Sequence, residues 1–144
     1  MNSAKYLLGK DAIIKSLKRN NVDTIFGYSG GAILPVFDSL SKSGIKYFMN
    51  RHEQSSGHCA EGYAKVSGKP GVVTTTSGPG VTNLITPLQD SYSDGIPLVV
   101  FTGQVPTHAI GSDAFQECPA IDLTRPCTKR SEEHTSELQS RQYL

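Results

Sequence analysis

The sequence has no tryptophan, only three cysteines, almost no net charge and no long hydrophobic run. Each shortage excludes a class of protein. Cys59, Cys118 and Cys127 are odd in number and form no C-x-x-C pair, which indicates neither a disulfide framework nor a zinc site. They read as reduced thiols of an intracellular protein. The longest apolar run is Pro97-Leu98-Val99-Val100-Phe101. That is the length of a buried strand, far below the roughly 18 residues a membrane span needs. No membrane partner is expected. Lys and Arg number 14 against 13 Asp and Glu, scattered to a net charge of +1. Without a basic patch, no nucleic-acid partner is expected either.

Met1 to Leu8 lacks the apolar stretch and small-residue cleavage site of a secretory signal. The first arginine is Arg19, after Asp11, unlike a mitochondrial presequence. A cytoplasmic location is expected, or a compartment address lost upstream. What remains is a chain of 144 residues, 37% hydrophobic and 19% charged, the size and composition of one globular domain.

The last fifteen residues differ from the rest. RSEEHTSELQSRQYL, from Arg130 to Leu144, has almost no core residue. A polar tail is the plain reading. The eleven residues Arg130 to Ser140 also match, in order, one frame translation of a common short-read sequencing adapter. We expect residues 130–144 to be a non-native tail, and a natural protein that continues differently beyond 129. Glu132, Glu133, His134 and Glu137 are therefore given no chemistry.

Periodicity organises residues 1–129. Ile13, Ile14 and Leu17 share one helical face, ended by Asn20-Asn21. A β-rich run, Val22 to Phe26, closes at Gly27, and a second helix runs through Ile33, Leu34, Phe37 and Leu40 with Pro35 in its first turn. Strands are predicted over Ile45–Met49, Gly71–Thr75 and Pro97–Thr102, with helices over Glu53–Val66 and 81–93. Alternating strands and helices imply an α/β fold: a parallel sheet flanked by helices on both faces. Ligands of such sheets bind at loops beyond the strand carboxyl ends. Those loops are Gly27 to Gly31, Asn50 to Gln54, Ser77 to Gly80 and the segment from Gly103.

Glu53 is the residue singled out. An acid in a first helical turn needs no reason beyond the helix dipole. Behind it, however, Gly57, Ala60 and Ala64 form a small-residue stripe. Close packing along that stripe would desolvate Glu53, raise its pKa and keep a proton available. Neither glycine loop matches a phosphate fingerprint. Ser77-Gly78-Pro79-Gly80 also reads as a plain strand-to-helix turn. His52, His58 and His108 show no metal-ligand spacing, and no metal is assigned.

The string FGYSGGAILPVFDSL (26–40) and the stretch from RHEQ through GYAKVSGKPGVV, TSGPGVTN and TGQVP to IGSDAFQE (51–117) resemble the acetolactate synthase (acetohydroxyacid synthase) family. The likeness is to the N-terminal pyrimidine-binding domain of the large catalytic subunit, and covers nearly all of residues 8–129. It implies thiamine diphosphate-dependent decarboxylation of pyruvate and carboligation to a second 2-oxo acid, in branched-chain amino-acid (isoleucine, valine) biosynthesis. By resemblance Glu53 is the catalytic glutamate facing N1′ of the aminopyrimidine. Tyr28, Ser29, Gly30, Gly31 and Ala32 form the loop beside the cofactor, and Pro79 and Asn83 line the pyrimidine. By the same resemblance Val105, Pro106 and Ala114 wall the substrate channel, and Phe115 and Gln116 reach its substrate side, Gln116 as a second catalytic residue.

Ser29 stands where the family usually has proline, which removes a fixed φ from the loop. Cys118 to Leu123 departs from the usual stretch. The resemblance further implies Mg2+ and the diphosphate in a C-terminal domain, and FAD mostly in a middle domain, all outside these residues. It places the site between two copies of the catalytic subunit, with a regulatory small subunit as a further candidate partner, and a mitochondrion or plastid as alternative locations. The fragment alone is expected to be inactive. Other readings stay open: another thiamine diphosphate carboligase or decarboxylase, a non-catalytic subunit-binding module, or gene debris.

Overall fold

The computed structural model describes residues 7–133; the rest of the polar tail, from His134 onward, lies outside them. Helix α1 (Gly9–Arg19) turns Ile14 and Leu17 inward, and Asn21 just beyond it takes a left-handed φ of 57°. Strand β1 (Thr24–Gly27) follows, then a 3-10 turn (Gly31–Ile33) and helix α2 (Leu34–Ser41), with Pro35 in its first turn. Strand β2 (Lys46–Met49), helix α3 (Glu53–Ser67) and strand β3 (Gly71–Thr75) come next. Helices α4 (Pro79–Thr82) and α5 (Ile85–Asp94) lead to strand β4 (Leu98–Thr102), and a short helix α6 (Ala120–Thr124) follows, running into a 3-10 turn (Arg125–Cys127).

The four strands pair in the order β2-β1-β3-β4, all parallel. Side chains alternate across a strand, so neighbours serve opposite faces. Ile25 and Val72 join Ile14, Leu17, Val36 and Leu40 under α1 and α2. Phe26 and Val73 join Ala60 of α3 and Leu84 and Leu88 near α5 on the other face. β3 is buried along its whole length, as a central strand covered on both sides must be. The expected α/β architecture is the one observed.

Two helices stop by the same device. Gly68 after α3 and Gly95 after α5 take left-handed φ values of 69° and 68°, and Pro70 and Pro97 follow two residues later. The helix predicted over 81–93 is instead two helices broken at Asn83-Leu84. Pro87 is the reason. In a continuous helix it offers no N–H to the Asn83 carbonyl, and its ring collides with that carbonyl.

The small-residue stripe on α3 does pack closely. A Cβ added at Gly57 would lie 2.3 Å from Pro87 Cγ, whereas one at Gly62 meets nothing within 4 Å. Gly57→Ala should therefore cost about 1–3 kcal/mol by overpacking. Gly62→Ala, on the open face of the same helix, should gain about 0.5–1 kcal/mol. Urea midpoints of the two variants check both signs.

Candidate functional site

Parallel strands bring all four carboxyl-end loops to one edge of the sheet, as expected. From β1 the chain moves one way to β2, while β3 lies on the other side of β1. The crevice where strand order reverses is the usual ligand position in such a sheet. The loops are tied together over it. Tyr28 N–H donates to Thr74 O at 3.2 Å, Asn50 N–H to Gly27 O at 3.1 Å, and Gly103 N–H to Thr75 O at 2.9 Å. A Cβ at Gly30 would lie 2.6 Å from Thr76 Cβ, so only glycine lets this loop lie so close to the end of β3. Gly78, with φ 57°, is pressed against the Gln116 backbone, 2.6 Å from its would-be Cβ to the Gln116 carbonyl oxygen.

Glu53 opens α3 at this edge. His52 caps the helix, its Nδ1 accepting from Gln54 N–H at 3.1 Å. Ser56 Oγ donates to Asn50 Oδ1 at 3.1 Å and pins the preceding loop to the same turn. An acid serving the helix dipole alone can stay in solvent; Glu53 is only 8% exposed. Its Oε2 accepts a 2.9 Å hydrogen bond from Asn83 Nδ2. Asn83 reaches it because the helix breaks there. The site thus joins a shielded carboxyl group, an amide donor and a glycine-lined crevice.

The chain matches, over residues 8–124, the family described as thiamine pyrophosphate enzyme, N-terminal TPP binding domain. It belongs to that family. Similar proteins carry a narrower name. The chain is 57% identical over 124 residues to the mitochondrial acetolactate synthase catalytic subunit of Saccharomyces cerevisiae, covering 85% of this chain and 18% of the yeast protein. It is 52% identical over 122 residues to the acetolactate synthase large subunit of Lactococcus lactis, covering 84% of this chain and 21% of that one. With the acetolactate synthase of Mycobacterium bovis it shares 52% identity over 126 residues, covering 87% and 20%. The chain therefore spans about a fifth of the length of these relatives.

The other residues that the resemblance marks in this TPP-binding domain fall in two groups. Tyr28, Gly31, Ala32 and Pro79 are exposed at the crevice edge, and Ser29, Gly30 and Asn83 are half-buried there. Ala32 touches the β4 loop, its Cβ 2.7 Å from where a Cβ on Gly103 would lie. Beyond β4, Val105 is buried, Ala114 half-buried and Pro106 exposed. Phe115 is 87% exposed. Gln116, half-buried with φ 60°, lies against Gly78. The loop that carries both is closed by Glu117, whose carboxylate accepts from the N–H groups of Gly111 and Ala114 and is held below its usual range by them. Burial pushes the Cys118 thiol up, and its Sγ donates to Gly78 O at 3.8 Å.

Sequence reasoning missed Thr76. Its hydroxyl oxygen is buried beside Gly30 with no hydrogen-bond partner. The signal was weak, because threonine at a strand end is ordinary. It also missed that α5 brings Asp90 Oδ2 to 3.9 Å from His58 Nδ1.

Removing Asn83 strips the buried carboxyl of its donor. Asn83→Ala should cost about 1–3 kcal/mol, read as a lower thermal midpoint at neutral pH by circular dichroism.

Proposed function

We propose that this chain is the pyrimidine-binding part of an acetolactate synthase catalytic subunit, a transferase that decarboxylates pyruvate and joins its two-carbon unit to a second 2-oxo acid. The observation that supports this most is the buried Glu53 carboxyl, held by Asn83 at the reversal point of the sheet.

The residues present fit the ring half of thiamine diphosphate. The crevice offers a shielded acid, a glycine that admits no Cβ, and an orphan hydroxyl on Thr76. These suit a flat heteroaromatic ring with hydrogen-bonding nitrogens. When bound, the cofactor supplies the electron sink that a 2-oxo acid needs to lose CO2. Glu53 would carry the proton chemistry: Asn83 occupies Oε2 and leaves Oε1 to exchange a proton with a ring nitrogen of the bound cofactor. Glutamine there has no proton to give. Gly30 and Gly31 let backbone approach the ring, Tyr28, Ser29 and Ala32 flank it, and Pro79 and Asn83 line it. On the same reading Val105, Pro106, Ala114 and Phe115 border the channel and Gln116 faces the substrate.

The described residues do not fit the diphosphate and its Mg2+, or FAD. Neither glycine loop has a phosphate-binding pattern. Those groups fall to the remainder of a full-length protein. A second copy of the catalytic subunit is the proposed partner that completes the site. Tyr28, Leu34, Phe48, Met49 and Phe115 are all exposed on or near the carboxyl edge, an apolar rim suited to being covered. A regulatory small subunit is a further proposed partner. We place residues 1–129 in the domain and 130–144 in a non-native tail. Among the described residues, no helix is long and apolar enough to cross a membrane. Relatives with mitochondrial names and bacterial relatives both occur, so the cytoplasm is proposed, with an organelle for a eukaryotic source.

In the full-length enzyme, Glu53→Gln should lower pyruvate-to-acetolactate turnover about 100-fold or more. The fold should persist, because the amide oxygen still accepts from Asn83. An unchanged rate would remove Glu53 from the mechanism. The 144-residue chain alone should show no turnover in the same assay, and measurable acetolactate would overturn the claim that other domains are required.

A further inference from the structure

His58 and Glu61, three residues apart on α3, share one helical face. Asp90 reaches that face from α5. His58 Nδ1 lies 3.2 Å from Glu61 Oε2 and 3.9 Å from Asp90 Oδ2. The three ligand atoms all fall within 4.8 Å of one another. Tetrahedral zinc, with bonds of about 2.0–2.1 Å, sets neighbouring ligands about 3.4 Å apart. The trio therefore needs only small rotamer adjustments to meet at one ion.

Glu61 adds a second observation: its Oε1 is buried and makes no hydrogen bond, although the Lys65 ammonium stands 2.7 Å away. Its side chain is 5% exposed, and a carboxylate so buried is kept by ion pairing or by metal coordination. Lys65 forms an ion pair with that oxygen but gives its hydrogen bond to Asp94 at 3.1 Å. Oε2 is left facing the imidazole. Glu61, Asp90 and Asp94 outnumber Lys65 by two charges, and an imidazole that ligates a metal is neutral. A dication cancels that excess. His58 and Asp90 side chains are 40% and 52% exposed, so an ion can reach the site and keep a water as its fourth ligand. The donor set of one imidazole and two carboxylates suits zinc-like ions.

We propose that His58, Glu61 and Asp90 bind a divalent transition-metal ion of the zinc type, tying α3 to α5. This site is separate from the Glu53 crevice: His58 and Glu61 sit about one and a half to two turns further along α3, and the proposal does not depend on the catalytic reading.

The test is titration of the tag-free 144-residue chain with Zn2+ by calorimetry, paired with thermal melts. One saturable equivalent is expected, with a higher melting temperature. His58→Asn and Asp90→Asn should each weaken binding by at least about 10–100-fold, the loss that even outer-shell changes cause. His108→Gln should leave it unchanged. Both test positions are partly exposed, and circular dichroism before titration confirms folded variants. The proposal is overturned by three results: no saturable binding, variants that bind as tightly as the parent, or loss of binding in His108→Gln.

Discussion

A carboxyl group taken out of water must be held by something, and here that is the 2.9 Å bond from Asn83 to Glu53. Much of the local architecture serves this contact. Glu53 is set at the edge of the sheet by the short link from β2 and the His52 cap. Asn83 is set by the break between α4 and α5, which Pro87 enforces. The same proline ring fills the space that Gly57 leaves on α3. One residue thus both interrupts a helix and fixes the distance between the two elements that bring acid and amide together.

The sheet supplies the other half of the arrangement. Tyr28 N–H bonds across to β3, and Gly103 N–H does the same from β4. These bonds continue the ladder past the strands and hold the loops at the rim. Gly27 is part of this: a Cβ there would lie 2.0 Å from the Thr74 carbonyl oxygen. The crevice is therefore floored by backbone, while its outer rim is exposed and apolar. On the proposed reading, that asymmetry is what a half-site requires, with one wall built into this chain and the other brought by a second copy.

Strands and their order of alternation were legible in the sequence because buried parallel strands write themselves as short apolar runs between glycine turns. The helix from Glu53 was legible for the same reason, with its small-residue stripe. The break at Asn83 was written in Pro87, but the apolar pattern of 81–93 continued through it and hid it. Without the break, the resemblance put Asn83 and Glu53 at the same ring but gave no hydrogen bond between them. Thr76 carried no signal, since its orphan hydroxyl exists only once Gly30 has closed over it.

His58, Glu61 and Asp90 show most clearly where one-dimensional reasoning stops. His58 and Glu61 are neighbours on a helix and could be paired from spacing. Asp90 is 29 residues beyond Glu61, on a helix whose rotation about its axis depends on where α5 starts. A continuous helix from residue 81 would carry a different phase into Asp90 than one restarted at Ile85. The side-chain group at the α3–α5 seam is thus a product of the same proline that positions Asn83. A change at Pro87 that restored a continuous helix would disturb both groups together, although they lie on different parts of α3 and are proposed for unrelated chemistry.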